Sequence, residues 1–85
     1  MSLADAAESL DDLASGRLPS QKRVLLGLAS LDAVLSRGGC EHALKDAAAT
    51  LELFVATGGV VSNFADARAR YGLMAAAVRR VMTHD

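Results

Sequence analysis

What this chain has little of narrows its class first. It carries one cysteine, Cys40, one proline, Pro19, no tryptophan, and three aromatic residues, Phe54, Phe64 and Tyr71. A lone cysteine cannot close an internal disulfide, which points to a reducing compartment. Two histidines beside that cysteine are too few soft ligands for a zinc site, and no cofactor or metal is expected. The scarcity of aromatic and β-branched residues excludes an all-β fold. The longest charge-free stretch, Leu53 to Ala65, covers thirteen residues and contains Gly58-Gly59; it is too short to span a bilayer. The first twelve residues are acidic where a secretory leader would be basic. A cytoplasmic location with no membrane partner is therefore expected.

What is present is apolar and small. The 85 residues allow one domain, and a chain of this length buries roughly 60–65% of the surface it exposes when unfolded. An apolar fraction of 52% excludes disorder. With so few aromatics the core must be Leu, Val and Ala, the composition of close-packed helices. The charge is nearly balanced but unevenly placed. Residues 1–12 carry −4 (Asp5, Glu8, Asp11 and Asp12), residues 13–63 carry +1, and residues 64–85 carry +2. An acidic head thus precedes a mildly basic tail.

Apolar residues recur at three and four, with glycine between the repeats. Leu3, Ala6, Ala7, Leu10, Leu13 and Ala14 form a first stripe, and Ser15-Gly16 ends it. Ser20 is the expected N-cap of a second helix running to about Ser36, and Gly38 or Gly39 supplies its left-handed stop. A third helix is predicted from about Glu41 to Thr57, with Leu44, Ala47, Ala48, Leu51, Phe54 and Val55 buried and Gly58-Gly59 after it. Asn63 can cap a last helix, with Asp66 in its first turn. The fold expected is all-α, one domain of four to five helices. It comprises an acidic amphipathic helix over 1–15, a helical hairpin over 20–57 and a helix-turn-helix-like segment over 62–83.

That last segment turns on Gly72, which costs roughly 1 kcal/mol relative to alanine inside a helix. Either packing requires a glycine there or the chain turns. If it turns, Gly72 supplies the turn and Leu73 closes the angle between two helices. Phe64, Ala67 and Tyr71 then face Val78 with Val81 or Met82. At these residues the chain resembles the DNA-binding segment of LysR-type regulators, and also the helix-turn-helix of plasmid repressors. LELFVA at 51–56 looks like the first part of that pattern. Ser62, Phe64, Ala67, Tyr71-Gly72-Leu73, Ala77-Val78 and Arg80 look like the second. The pattern departs at Arg68, where the family has a small residue, and at Met74-Ala75-Ala76, where it has polar side chains for base edges. The resemblance covers residues 51–82 and implies a duplex-DNA-binding transcriptional regulator. Arg68, Arg70, Arg79 and Arg80 would then meet phosphates, with Asn63, Met74 and Ala75 on the same face.

Two other constellations carry less chemistry. His42-Ala43-Leu44-Lys45 resembles a histidine-phosphotransfer motif, but Asp46 stands where that motif has glycine, and His42 sits near a helix start rather than mid-helix. A surface histidine is the expected reading. Cys40 beside His42 lacks the third group and oxyanion donors of a nucleophilic site, so no catalytic residues are expected.

Two functions from different classes remain. A DNA-binding regulator requires a break at Gly72, an exposed Met74, Ala75, Arg79 and Arg80, and two-fold dimerisation, for which Val24, Leu28, Leu31 and Leu35 of the second helix are the natural seam. A non-enzymatic helical interaction module, such as a chaperone, adaptor or inhibitor covering a partner's helix, requires Ala75 and Ala76 packed against another helix with the arginines on a rim.

Overall fold

Helices form where the 3.6-residue period predicts them. The computed structural model describes residues 3–38, 41–61 and 64–83. It contains α1 (Leu3–Ala14), α2 (Gln21–Leu35), α3 (His42–Ala56) and α4 (Ala65–Thr83), with no strand among the described residues. The local signals behave as their chemistry dictates. Ser20 Oγ accepts the Arg23 amide at 3.2 Å, capping α2. At the end of α3 the Gly59 amide donates to Phe54 O at 2.9 Å and the Gly58 amide to Val55 O at 3.3 Å. This is the six-to-one and five-to-two closure that needs left-handed backbone, and both glycines have positive φ. Asn63 and Cys40 lie outside the described residues.

Pairs across the seams give the topology. Ala6 lies against Gly27, and Asp12 pairs with Arg23, so α1 and α2 are antiparallel. Asp11 pairs with Arg79, and Arg68 lies over Gly16, so α4 runs antiparallel to α1. Glu41 meets Arg80 and Thr50 meets Met74, so α3 and α4 are antiparallel too. The four helices close an up-down-up-down bundle in which α1 and α3 each touch both α2 and α4. The α1–α4 seam is the most extensive of the four and the α3–α4 seam the least. Leu10, Leu13, Leu31, Leu51, Val24 and Val78 are the largest fully buried side chains.

Two expectations are corrected here. The turn at Gly72 does not form: α4 is a single helix of nineteen residues. Ala67, Tyr71, Met74, Ala75 and Val78 make one buried stripe along it. A break at Gly72 would dismantle that stripe, and the glycine's propensity cost of about 1 kcal/mol is smaller than the burial it would forfeit. Nor does packing require the glycine, since a Cβ at Gly72 would meet nothing within 4 Å.

The second correction concerns the expected dimer seam on α2. Val24 and Leu31 are fully buried, and Leu28 and Leu35 are half-buried against the same core. Because α2 lies between α1 and α3, these four residues face the core, while Leu25 and Leu26 of the same helix stay about half exposed.

Gly27 is the close-contact position of the bundle. A Cβ there would lie 2.5 Å from Ala6 N and 2.6 Å from Ala6 Cα, so α1 and α2 meet backbone to backbone. On the same buried side of α1, Ser9 Oγ is fully enclosed without a hydrogen-bond partner. An unpaired buried hydroxyl costs roughly 1–2 kcal/mol. Ser9→Ala is therefore expected to raise stability by about 1 kcal/mol, read as a higher midpoint in urea with an unchanged slope. A lower midpoint would show that the hydroxyl is satisfied.

Candidate functional site

The arginines expected to meet phosphate have other partners. Both terminal Nη nitrogens of Arg79 donate to the Asp11 carboxylate, with Nη1 to Oδ1 at 3.2 Å. Arg80 grips Glu41 in the same two-pronged way, Nε to Oε1 at 3.3 Å and Nη2 to Oε2 at 2.9 Å. The bonds from Arg80 hold the Glu41 carboxyl below its ordinary range, and those to Asp11 raise Arg79 above its own. Both pairs are half-exposed, so they contribute orientation more than stability. They tie α4 to α1 on one side and to the start of α3 on the other. Arg68 lies over Gly16 at the end of α1, where a cation complements the helix dipole.

The acidic head and basic tail read from the sequence therefore meet in space. Asp12 takes Arg17 at 3.4 Å and Arg23 at 3.7 Å, adding to the Asp11–Arg79 pair. Met74 and Ala75 are buried rather than exposed, and Thr50 Oγ1 donates to Met74 Sδ at 3.5 Å across the α3–α4 seam. Ala76 is exposed. Of the residues expected on a DNA-facing surface, only Arg70 is exposed without an ion pair or close packing partner among those described. His42 is also on the surface, with Nε2 3.6 Å from Asp46 Oδ1.

The chemistry that stands out is apolar. Where α3 and α4 part, at the α3 C-terminal end, a groove of about 440 Å³ opens between Thr50, Leu53 and Phe54 on one wall and Tyr71 on the other. Val60, Val61 and Phe64 of the connection close its end. Thr57 Oγ1 shapes that connection, donating to Leu53 O at 2.8 Å and accepting the Val60 amide at 3.2 Å. Three large side chains stay in water here: Phe64 is 80% exposed, Val60 69% and Leu53 61%.

Further along the seam, Leu73 and Arg70 of α4 face Ala43 and Asp46 of α3 around a second hollow of about 250 Å³. Positions 43, 46, 50, 53 and 57 recur at three and four, so both hollows lie along one face of α3. The sequence reading placed Leu53, Phe64 and Leu73 within a helix-turn-helix pattern and did not single them out as a surface. Their exposure was hidden because an apolar residue beside a buried stripe reads as part of it.

Among the described residues no group of three or more His, Cys, Asp or Glu side chains could hold a metal ion, and no helix is long and apolar enough to cross a membrane. Comparison with known family models, with curated proteins and with solved structures finds no match to this chain.

Proposed function

We propose that this chain is a helical interaction module without catalytic activity, and that it works by docking the exposed α3–α4 face against another helical surface. The observation that carries the reading is the exposure of Leu53, Val60 and Phe64 around a partly open groove and of Leu73 at the second hollow of the same seam, each more than half in water. An apolar face between two antiparallel helices suits an amphipathic helix laid into it. The ion pairs of Arg79 and Arg80 favour this reading over duplex binding, because phosphate contact would require breaking both.

A photo-crosslinking amino acid placed at Leu53 or Leu73 in cells tests it, with the exposed Leu18 as the control site. Protein adducts from positions 53 and 73, and not from 18, are expected. Duplex DNA titrated at low salt should leave fluorescence anisotropy flat. Salt-sensitive duplex binding that Arg79→Ala with Arg80→Ala abolishes would replace this reading with the DNA-binding one.

A further inference from the structure

The charges around the apolar face are sorted by end. At the Phe64 end stand two acids, Glu52 on the outer flank of α3 and Asp66 in the first turn of α4. Toward the Leu73 end stand two bases, Lys45 on the same flank of α3 and Arg70 on α4. Lys45 and Glu52 are seven residues apart, two helical turns and about 10 Å along one face. All four are exposed, and none makes an ion pair among the described residues. Between the flanks run Ala49, Leu53 and Ala56 on α3 and Leu73 on α4, all exposed. One acid, Asp46, lines the same hollow as Arg70 and Leu73 and lies 3.6 Å from His42, so that end carries two bases against one acid.

A surface that is apolar along its middle, acidic at one end and net basic at the other is complementary to itself when rotated by a half-turn. We propose that the occupant of the α3–α4 face is a second copy of this chain, docked antiparallel about a two-fold axis. Glu52 and Asp66 of each copy then oppose Lys45 and Arg70 of the other, and Leu53 and Phe64 of each cover Leu73 of the other. The contact is isologous and closes at two, so it does not propagate into a fibre. A stable dimer of ordinary size covers roughly 800 Å² on each partner, about a sixth of the 4855 Å² this chain exposes. The small residues Ala49 and Ala56 allow the second copy's helix to approach closely. This inference rests on the docking reading above and names its partner. The seam differs from the α2 seam expected from sequence, whose residues are buried in the core or half-buried against it.

Charge reversal tests the arrangement without touching the core. In sedimentation at about 100 μM the full chain is expected to run as a dimer. The all-acid variant, Lys45→Glu with Arg70→Glu, and the all-base variant, Glu52→Lys with Asp66→Lys, should each run as monomers with unchanged helical circular dichroism. Mixed in equal amounts, the two should restore the dimer, because every facing pair is then opposite in sign. Leu53→Glu should also give a monomer, with dissociation at least about tenfold easier. A monomeric wild-type chain would overturn the proposal, as would a dimer indifferent to these variants or a mixture that stays monomeric. Crosslinks from Leu53 to a different protein, with the purified chain monomeric, would sink the self-docking proposal alone and leave the docking reading standing.

Discussion

Gly27→Ala is expected to destabilise the protein by roughly 2–3 kcal/mol, although the same exchange inside a helix ordinarily gains up to about 1 kcal/mol. The sign is set by what the new methyl group would meet. It would sit 2.5 Å from the Ala6 amide nitrogen and 2.6 Å from Ala6 Cα, and backbone cannot swing aside as a long side chain can. The two helices would have to separate along a seam that buries Leu3, Ala6 and Leu10 on one side and Val24 and Leu31 on the other. Gly72→Ala is the matched control, since its Cβ enters open space in the interior of α4. It should stabilise by about 0.5–1 kcal/mol. In a domain of this size the pair should move the melting midpoint in opposite directions, down by roughly 10–20 °C and up by roughly 3–6 °C. Gly72→Ala lowering the midpoint would mean that α4 bends there after all.

The second large effect separates core from seam on one helix. Leu31→Ala should cost about 3 kcal/mol, because Leu31 is fully enclosed and its loss leaves a cavity that packed neighbours only partly fill. Leu25→Ala, six residues earlier and half in water, should change stability by less than about 0.5 kcal/mol. Concentration is the informative variable. If Leu31 belonged to a dimer seam, its penalty would shrink or grow with protein concentration by mass action. As a core residue it carries the same penalty in dilute and concentrated solution, and urea unfolding at two concentrations reads the difference.

Both effects bear on how the functional face arises. The bundle buries Val24 and Leu31 of α2 in its core and ties α4 to α1 and α3 through Asp11–Arg79 and Glu41–Arg80. The α3–α4 seam is the least extensive of the four; Phe54, Tyr71 and Met74 are buried along it, while Leu53 and Leu73 stay exposed.

Much of the fold was legible along the chain. The stripes of α1, α2 and α3, the Ser20 cap and the glycine stops after Ala14, Leu35 and Ala56 follow from spacing and from backbone preferences that act within a few residues. Such signals are local, so they survive without knowledge of what packs where. Gly72 misled for the same reason. A glycine in an apolar segment has one local meaning as a turn and another as a tolerated cost, and only the packing of α4 on α1 decided between them. Gly27 drew no notice, because a close approach by Ala6 is a fact about a second helix.

The candidate face was the least legible part. Leu31 and Leu53 are both leucines in helical repeats, yet one is enclosed and the other is 61% exposed. Composition, period and caps determine that this chain is all-α and where its helices start and stop, because those depend on each residue and its near neighbours. Which apolar residues are left over, and which arginines are neutralised, depends on the order in which four helices close around one core. Residues as distant as Asp11 and Arg79 meet only once that closure is made.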